Sequence, residues 1–173
     1  MSEEEPRKKN KDETRVVGFF IPVDVKFISD EIGHGVFARE HVSRGTPVWT
    51  PMLVTTLTCE ELAMQLKEMT ASKAHEFLRQ GFVLETDDNH FCVNPNDEGR
   101  FMNHSSDPNV GYAKFDSDLN NTSRSGMSCA LRDISAGEEM SCDYSGLGSP
   151  QWYKDLCSQY GVIPTDEVAK RFG

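Results

Sequence analysis

Apolar and polar positions change period several times along this chain, and those changes predict its elements. Residues 16–21 are apolar and β-prone, and residues 23–28 begin by alternating with a period of two, so strands are predicted on both sides of Pro22. A turn over residues 29–35 delivers Val36-Phe37-Ala38-Arg39. A second turn at 43–46 leads into the β-rich stretch 47–56. Thr58 and Glu61 have capping-box spacing, and Leu62, Leu66 and Met69 then fall on one helix face with Lys67 and Glu68 on another. Ser72 is placed to cap a second short helix over 73–80, closed by Gly81. A hairpin is predicted from 82–85 to 91–93 across Asp87-Asp88-Asn89. Strands follow at 110–115, 127–131 and 139–144, with a loop rich in Asp, Asn and Ser at 116–125 and a turn at 133–137. Ser149-Pro150 reads as the cap and first position of a helix over 151–160, with Gly161 after it. The sum is a mainly β α+β domain with an inserted helical pair and a C-terminal helix, without βαβ alternation.

One stretch obeys no period. Residues 100–109 read Arg-Phe-Met-Asn-His-Ser-Ser-Asp-Pro-Asn between two predicted strands. Its residue types bond their own backbone or pre-set turns. Such a segment is either a solvated loop or a site.

Composition narrows the choice. The net charge is −10, of which residues 1–13 hold only −1, so the acidity belongs to the folded part. An acidic body repels nucleic-acid phosphate and suits a Lys/Arg-rich protein or peptide partner. No apolar run reaches membrane-span length, and the N-terminus lacks the apolar core of a secretion signal. The cluster Arg7-Lys8-Lys9 with Lys11 reads either as a charged tail over 1–15 or as a nuclear address. Five irregularly spaced cysteines without a CxxC pair read as reduced thiols of an intracellular protein, with no metal site.

Three segments, taken together and in order, carry a resemblance: Gly33-His34-Gly35; the run from Arg100 to Asn109; and Gly137-Glu138-Glu139-Met140-Ser141-Cys142-Asp143-Tyr144. The series GxG, RFxNHSxxPN and GEExxxDY is similar to that of the SET-domain protein lysine methyltransferases. The likeness runs from about residue 23 to 160. It implies a β-clip-like fold of small sheets around a pseudo-knot. The domain would cover 16–145, with a helical flank at 146–173 closing the cofactor site. It also implies S-adenosylmethionine as cofactor and a lysine of a basic protein, such as a histone tail, as substrate. A nuclear rather than cytoplasmic location would suit such a substrate.

Carried over by position, the resemblance places Gly33, His34, Gly35, Asn103, His104, Tyr144 and Trp152 at the cofactor. His104 would act chiefly through its backbone. Tyr144 would be the catalytic tyrosine, and Tyr112 and Cys142 would face the substrate lysine. Trp152 reads equally well as an anchor for its own helix. Two departures matter. Ser106 stands where many members have Cys, so the zinc site those members build cannot form, and Trp152 or a partner must close the cofactor site. Cys142 stands where relatives usually have Phe or Tyr, and the smaller side chain favours di- or trimethylation.

The chemistry suits these residues. Methyl transfer is an in-line displacement, so alignment dominates. The amine must arrive neutral, which an apolar channel favours; Phe37, Phe101 and Tyr112 are suitable walls. Two other classes compete. A non-catalytic SET-like reader or scaffold would share the fold, although Asn103, His104 and Tyr144 are all present. A Ser/His/Asp hydrolase on His104, Ser105 and Asp107 is geometrically poor, because near-adjacent residues do not readily form the required relay.

Overall fold

The computed structural model describes residues 18–50, 54–84, 90–112 and 127–172. The expected tail, the Arg7–Lys11 cluster, the hairpin tip at 87–89 and the loop at 116–125 lie outside the described residues. In chain order the strands are β1 (Val23–Ser29), β2 (Gly33–Ala38), β3 (Pro47–Trp49), β4 (Thr55–Leu57), β5 (Phe82–Val83), β6 (Phe91–Val93), β7 (Asn103–His104), β8 (Val110–Gly111), β9 (Ser128–Ala130) and β10 (Glu139–Cys142). The helices are α1 (Cys59–Lys67), α2 (Ala71–Arg79), α3 (Gln151–Tyr160) and α4 (Thr165–Arg171), and Glu98–Phe101 forms a 3-10 turn. The class is the expected α+β, mainly β, built of small sheets that form no closed barrel among the described residues.

The sheet that matters for the site has the order β1-β2-β10-β7. Its first two strands pair antiparallel, with Val23 opposite Ala38 and Val25 opposite Val36. Side chains alternate across a sheet, so these four share the inner face while Asp24, Lys26 and Phe37 lie on the other. Val36 and Met140, paired across β2 and β10, are fully buried, and each such apolar side chain contributes about 1.5–3 kcal/mol. Phe19, Val48, Val110 and Ile134 complete this core.

A second core lies under the helices. Leu62 and Leu66 of α1, Ala74 and Leu78 of α2, Phe91 and Val93 of β6, and Tyr153 and Cys157 of α3 pack together. The Thr58 capping box is formed as the spacing required: Thr58 Oγ1 accepts the Glu61 amide at 3.2 Å, and Glu61 accepts the Thr58 amide at 2.9 Å.

Several local expectations shift. Thr70, not Ser72, caps α2; its extended backbone brings Oγ1 to 3.4 Å from the Lys73 amide, and Ser72 falls inside the first turn. Gly33 to Gly35 belong to β2 rather than to the turn, which is confined to residues 30–32. Ser149 does not cap α3. Its hydroxyl accepts the Asp166 amide at 3.2 Å and ties the start of α4 to the start of α3. Gly161 ends α3 in the left-handed region (φ 70°), a conformation that suits glycine. α4 itself was not expected.

Candidate active site

β7 is two residues long and exists because it lies parallel to β10, with Asn103 opposite Ser141 and His104 opposite Cys142. The Ser105 amide extends the pairing to the Cys142 carbonyl at 3.1 Å. This contact between segments nearly forty residues apart is what the expected knot requires. A second contact ties them further along. Asn109 is buried, and its Nδ2 donates to the Glu139 carbonyl at 2.7 Å and to Glu138 Oε1 at 3.2 Å, while its Oδ1 accepts the Ser141 amide at 2.9 Å. One amide side chain thus does the work of a missing ladder partner for β10. Arg132 holds Glu138 from outside at 2.6 Å. The Ser135 amide, then Arg132 and Asn109, keep the Glu138 carboxyl below its usual range despite the opposing effect of burial.

Tyr144 follows β10 directly. Its hydroxyl donates to the Met102 carbonyl at 2.6 Å, and the Cys142 thiol approaches the same carbonyl at 4.0 Å. Desolvation, and then the nearness of Cys142 and Tyr153, pushes the Tyr144 hydroxyl far above its ordinary value. It is a neutral phenol throughout the physiological range, with oxygen lone pairs still free to accept. Burial, reinforced by the Asp143 charge, pushes the Cys142 thiol up to about 12, so it is neither a thiolate nor a nucleophile at neutral pH.

The His104 side chain is only 3% exposed. Its Nδ1 accepts the Tyr144 amide at 3.0 Å, and its ring lies 5.4 Å from the tyrosine ring. Asp143 Oδ1 stands 3.9 Å from that same nitrogen, which by distance alone is an ion pair. The hydrogen bond decides otherwise: a nitrogen that accepts an N–H carries no proton of its own. Asp143 is instead occupied by the amide and hydroxyl of Ser145, both at 2.7 Å, which hold its carboxyl below the usual range.

The resemblance places Gly33-His34-Gly35 at the cofactor, where glycines let a bound molecule approach the backbone. Part of that room is taken by the protein itself. A β-carbon at Gly35 would stand 2.6 Å from both Glu139 Oε1 and Ile28 Cδ1. At Gly33 (φ 82°) it would meet the Arg79 guanidinium at 3.2–3.5 Å. Arg79 reaches this turn from α2 and donates to the Glu31 carbonyl at 2.7 Å. Asn103 is the joint: its Nδ2 donates to the His34 carbonyl at 3.0 Å and to Glu139 Oε1 at 2.8 Å. The His34 ring is exposed, between Phe27 at 5.7 Å and Phe101 at 5.3 Å.

The structure therefore brings Asn103, His104, Cys142 and Tyr144 together and joins them to Gly33-His34-Gly35 through Asn103. Two expected residues lie apart from the buried cluster. Tyr112 follows β8 with 68% of its surface exposed. Trp152 is half-buried in the helical core, edge-on to Tyr153 at 5.9 Å. Phe37 faces Lys26, whose Nζ lies 5.1 Å over its ring, rather than the side of the sheet taken by Val36 and Met140. Sequence reasoning missed Arg79, Asn109 as a clamp, and the Met102 carbonyl.

A model of the SET domain family matches residues 33–145. Among solved structures the chain is similar to the Neurospora SET domain protein DIM-5, a histone lysine methyltransferase (23% identity over 73% of this chain and 53% of that one, TM-score 0.47). It is also similar to the methyltransferase domain of human histone-lysine N-methyltransferase SETMAR (26%, 76% and 48%, TM-score 0.49). A third is ctPRC2 in an autoinhibited conformation bound to S-adenosylmethionine (20%, 79% and 16%, TM-score 0.51), a likeness of fold alone. The chain spans about half the length of the first two structures and a smaller part of the third. No curated protein matches it. With the family's domain matched over most of the chain, and its three motifs meeting around Asn103 and Tyr144, this protein belongs to the SET domain family.

Proposed function

We propose that this domain is an S-adenosylmethionine-dependent methyltransferase acting on a lysine side chain of a basic protein, with histone tails the first class to test. The observation that carries the reading is the Tyr144 hydroxyl, desolvated and donated to the Met102 carbonyl at 2.6 Å beside the Asn103–His104 strand. Family membership and the acidic net charge of −10 support it.

The residues present fit the cofactor's chemistry. Arg79 offers a cation to a carboxylate at the glycine turn, Gly33 to Gly35 offer backbone, and Asn103 and His104 offer main-chain donors and acceptors beside Tyr144. When bound, S-adenosylmethionine supplies a methyl group on a positively charged sulfur. Around it the protein's task is alignment rather than covalent chemistry. Tyr144 Oη and the Met102 carbonyl present oxygen lone pairs that orient without competing as nucleophiles. The Tyr144 phenol is too weak an acid to ionise near neutrality and serve as a base, so the proton leaving the lysine ammonium goes to water. An ammonium near pKa 10.4 loses that proton more readily when desolvated, and the apolar inner face that Met102 and Cys142 share supplies the desolvation. Cys142 is small and leaves room for a methylated nitrogen, which favours di- or trimethyl products. α3 is the flank nearest the site through Tyr153, whose presence adds to the upward shift of the Tyr144 hydroxyl, while Trp152 packs in the helical core.

The test is calorimetric titration with S-adenosylmethionine, followed by labelled methyl transfer to core histones and to arrays of lysine peptides. Saturable binding with label on lysine is expected. Tight binding without transfer to any basic substrate would replace the enzyme with a SET-like reader. Cys142→Tyr should shift the product toward monomethyl-lysine by mass spectrometry, and an unchanged distribution refutes the room argument.

A further inference from the structure

We propose that Trp49, acting through Asp97, is a positioning residue outside the three motifs: the pair fixes the turn that aims the Met102 carbonyl at Tyr144, and methyl transfer slows when the pair is broken. This rests on the methyltransferase reading above. The turn runs from Asn94 to Met102 and is wound by short-range backbone bonds. The Asp97 amide donates to the Asn94 carbonyl at 3.2 Å, the Arg100 amide to the Asp97 carbonyl at 3.2 Å, and the Met102 amide to the Gly99 carbonyl at 3.0 Å. Its centre is the four-residue 3-10 turn Glu98–Phe101, a geometry whose poorer hydrogen bonds call for outside support. Both groups it delivers face the site: the Met102 carbonyl accepts the Tyr144 hydroxyl at 2.6 Å, and the Phe101 ring lies 5.3 Å from that of His34.

The support comes from a different sheet. Asp97 is 1% exposed, and its Oδ1 accepts both the Gly99 amide of its own turn and the Trp49 indole Nε1–H, each at 2.8 Å. Trp49 ends β3, pairs with Ser128 of β9, and bridges to Phe19 of the buried core. The indole lies so close to Gly99 that a β-carbon there would collide with Nε1, Cε2 and Cζ2, so only glycine lets the ring reach the carboxylate. Gly99 in turn accepts the Met102 amide, so a displaced Gly99 carries the Met102 carbonyl with it. A misplacement of about 1 Å in groups that align reactants is enough to cost about a hundredfold in rate.

Trp49→Phe keeps an aromatic ring beside Gly99 and removes the N–H donor. It is expected to lower kcat by about tenfold with KM and cofactor Kd within about threefold, because alignment is lost and binding is not. Wild-type kcat overturns the proposal. Asp97→Ala should lower kcat at least as far, and the double variant no further than Asp97→Ala alone, since both side chains act through one oxygen; effects that multiply overturn the pairing. If Trp49→Phe does not fold, Gly99→Ala, which pushes the indole off the turn, decides by the same split of kcat from KM. A second readout is independent of turnover. The Tyr144 ring carbon that bears the hydroxyl, followed by NMR, should shift in Trp49→Phe and stay in place in Leu66→Ala, which weakens the helical core instead. A carbon unmoved in Trp49→Phe, or moved equally in both, overturns the positioning role. That shift in a protein that transfers no methyl would sink the methyltransferase reading and leave the buttress standing. Methyl transfer with neither kcat nor the ring carbon altered in Trp49→Phe would do the reverse.

Discussion

The two cores of this domain are held by different means. The sheet core around β10 depends on single polar side chains that bond backbone across long sequence distances: Asn109 to Glu139 and Ser141, His104 to Tyr144, and Asn103 to His34. The helical core depends on apolar contact, with Leu62, Leu66, Leu78 and Phe91 buried to 1% exposure or less. Polar tethers also cross it: the His75 ring nitrogen Nδ1 lies 3.0 Å from the Tyr160 carbonyl, and the Tyr153 hydroxyl reaches the Leu78 and Gly81 carbonyls at 3.3 and 3.4 Å. Short strands bury too little apolar area to fix their own register, so directional bonds must do it. Helices with a continuous apolar face need no such help. The polar core can therefore place reacting groups accurately, while the apolar core mainly supplies stability.

Substitutions can break that division. Asn109→Ala takes away the partner of the Ser141 amide and of the Glu139 carbonyl in a buried place, and is expected to cost about 3 kcal/mol and to lower transfer per folded molecule as well. Urea unfolding together with assays on the folded fraction checks both parts. Leu66→Ala should cost about as much, near 3 kcal/mol, through the cavity it leaves, but should keep transfer per folded molecule within about twofold. If the two variants behave alike in the assay, the comparison fails. Tyr153→Phe removes long, weak hydrogen bonds and is expected to cost about 1 kcal/mol by the same unfolding measurement.

The smallest effect concerns the tether between α3 and α4. Burial works against the Asp166 carboxylate, but Ser149, Lys154 and Lys170 outweigh it and lower the carboxyl to about 2 from an ordinary 3.8. A folded value below the unfolded one means that the stabilisation is fully present above about pH 4 and is lost as pH falls through about 2. Solvent screening limits it to about 1 kcal/mol. Asp166→Asn should remove that part of the acid dependence of unfolding, and an unchanged slope between pH 4 and 2 would show that the ion pairs with Lys154 and Lys170 contribute nothing.

What was legible in the sequence follows the same division. The Thr58–Glu61 box, the α1 stripe and the β1 alternation are local patterns, and all are formed. The family's motifs marked Asn103, His104, Cys142 and Tyr144, which the fold brings together. β7 was legible only through the family resemblance and not from any period, because two residues make a strand only beside a partner nearly forty positions away. The Met102 carbonyl left no trace because a backbone atom has no sequence signature. That Glu139 and Ile28 press against Gly35 was not legible either, because both contacts come from other strands or from the far end of a neighbouring one. α4 was missed because its seven largely polar residues are held by contacts to α3 rather than by a periodic face of their own.

In the proposed reaction a neutral Tyr144 hydroxyl, fixed on the Met102 carbonyl, aligns methyl donor and lysine. The most direct test of that role is Tyr144→Phe, with kcat measured by labelled transfer and cofactor affinity by calorimetry on the same preparation. A fall in kcat of about a hundredfold or more is expected, with Kd for S-adenosylmethionine within about threefold of wild type. Wild-type kcat in that variant would contradict it.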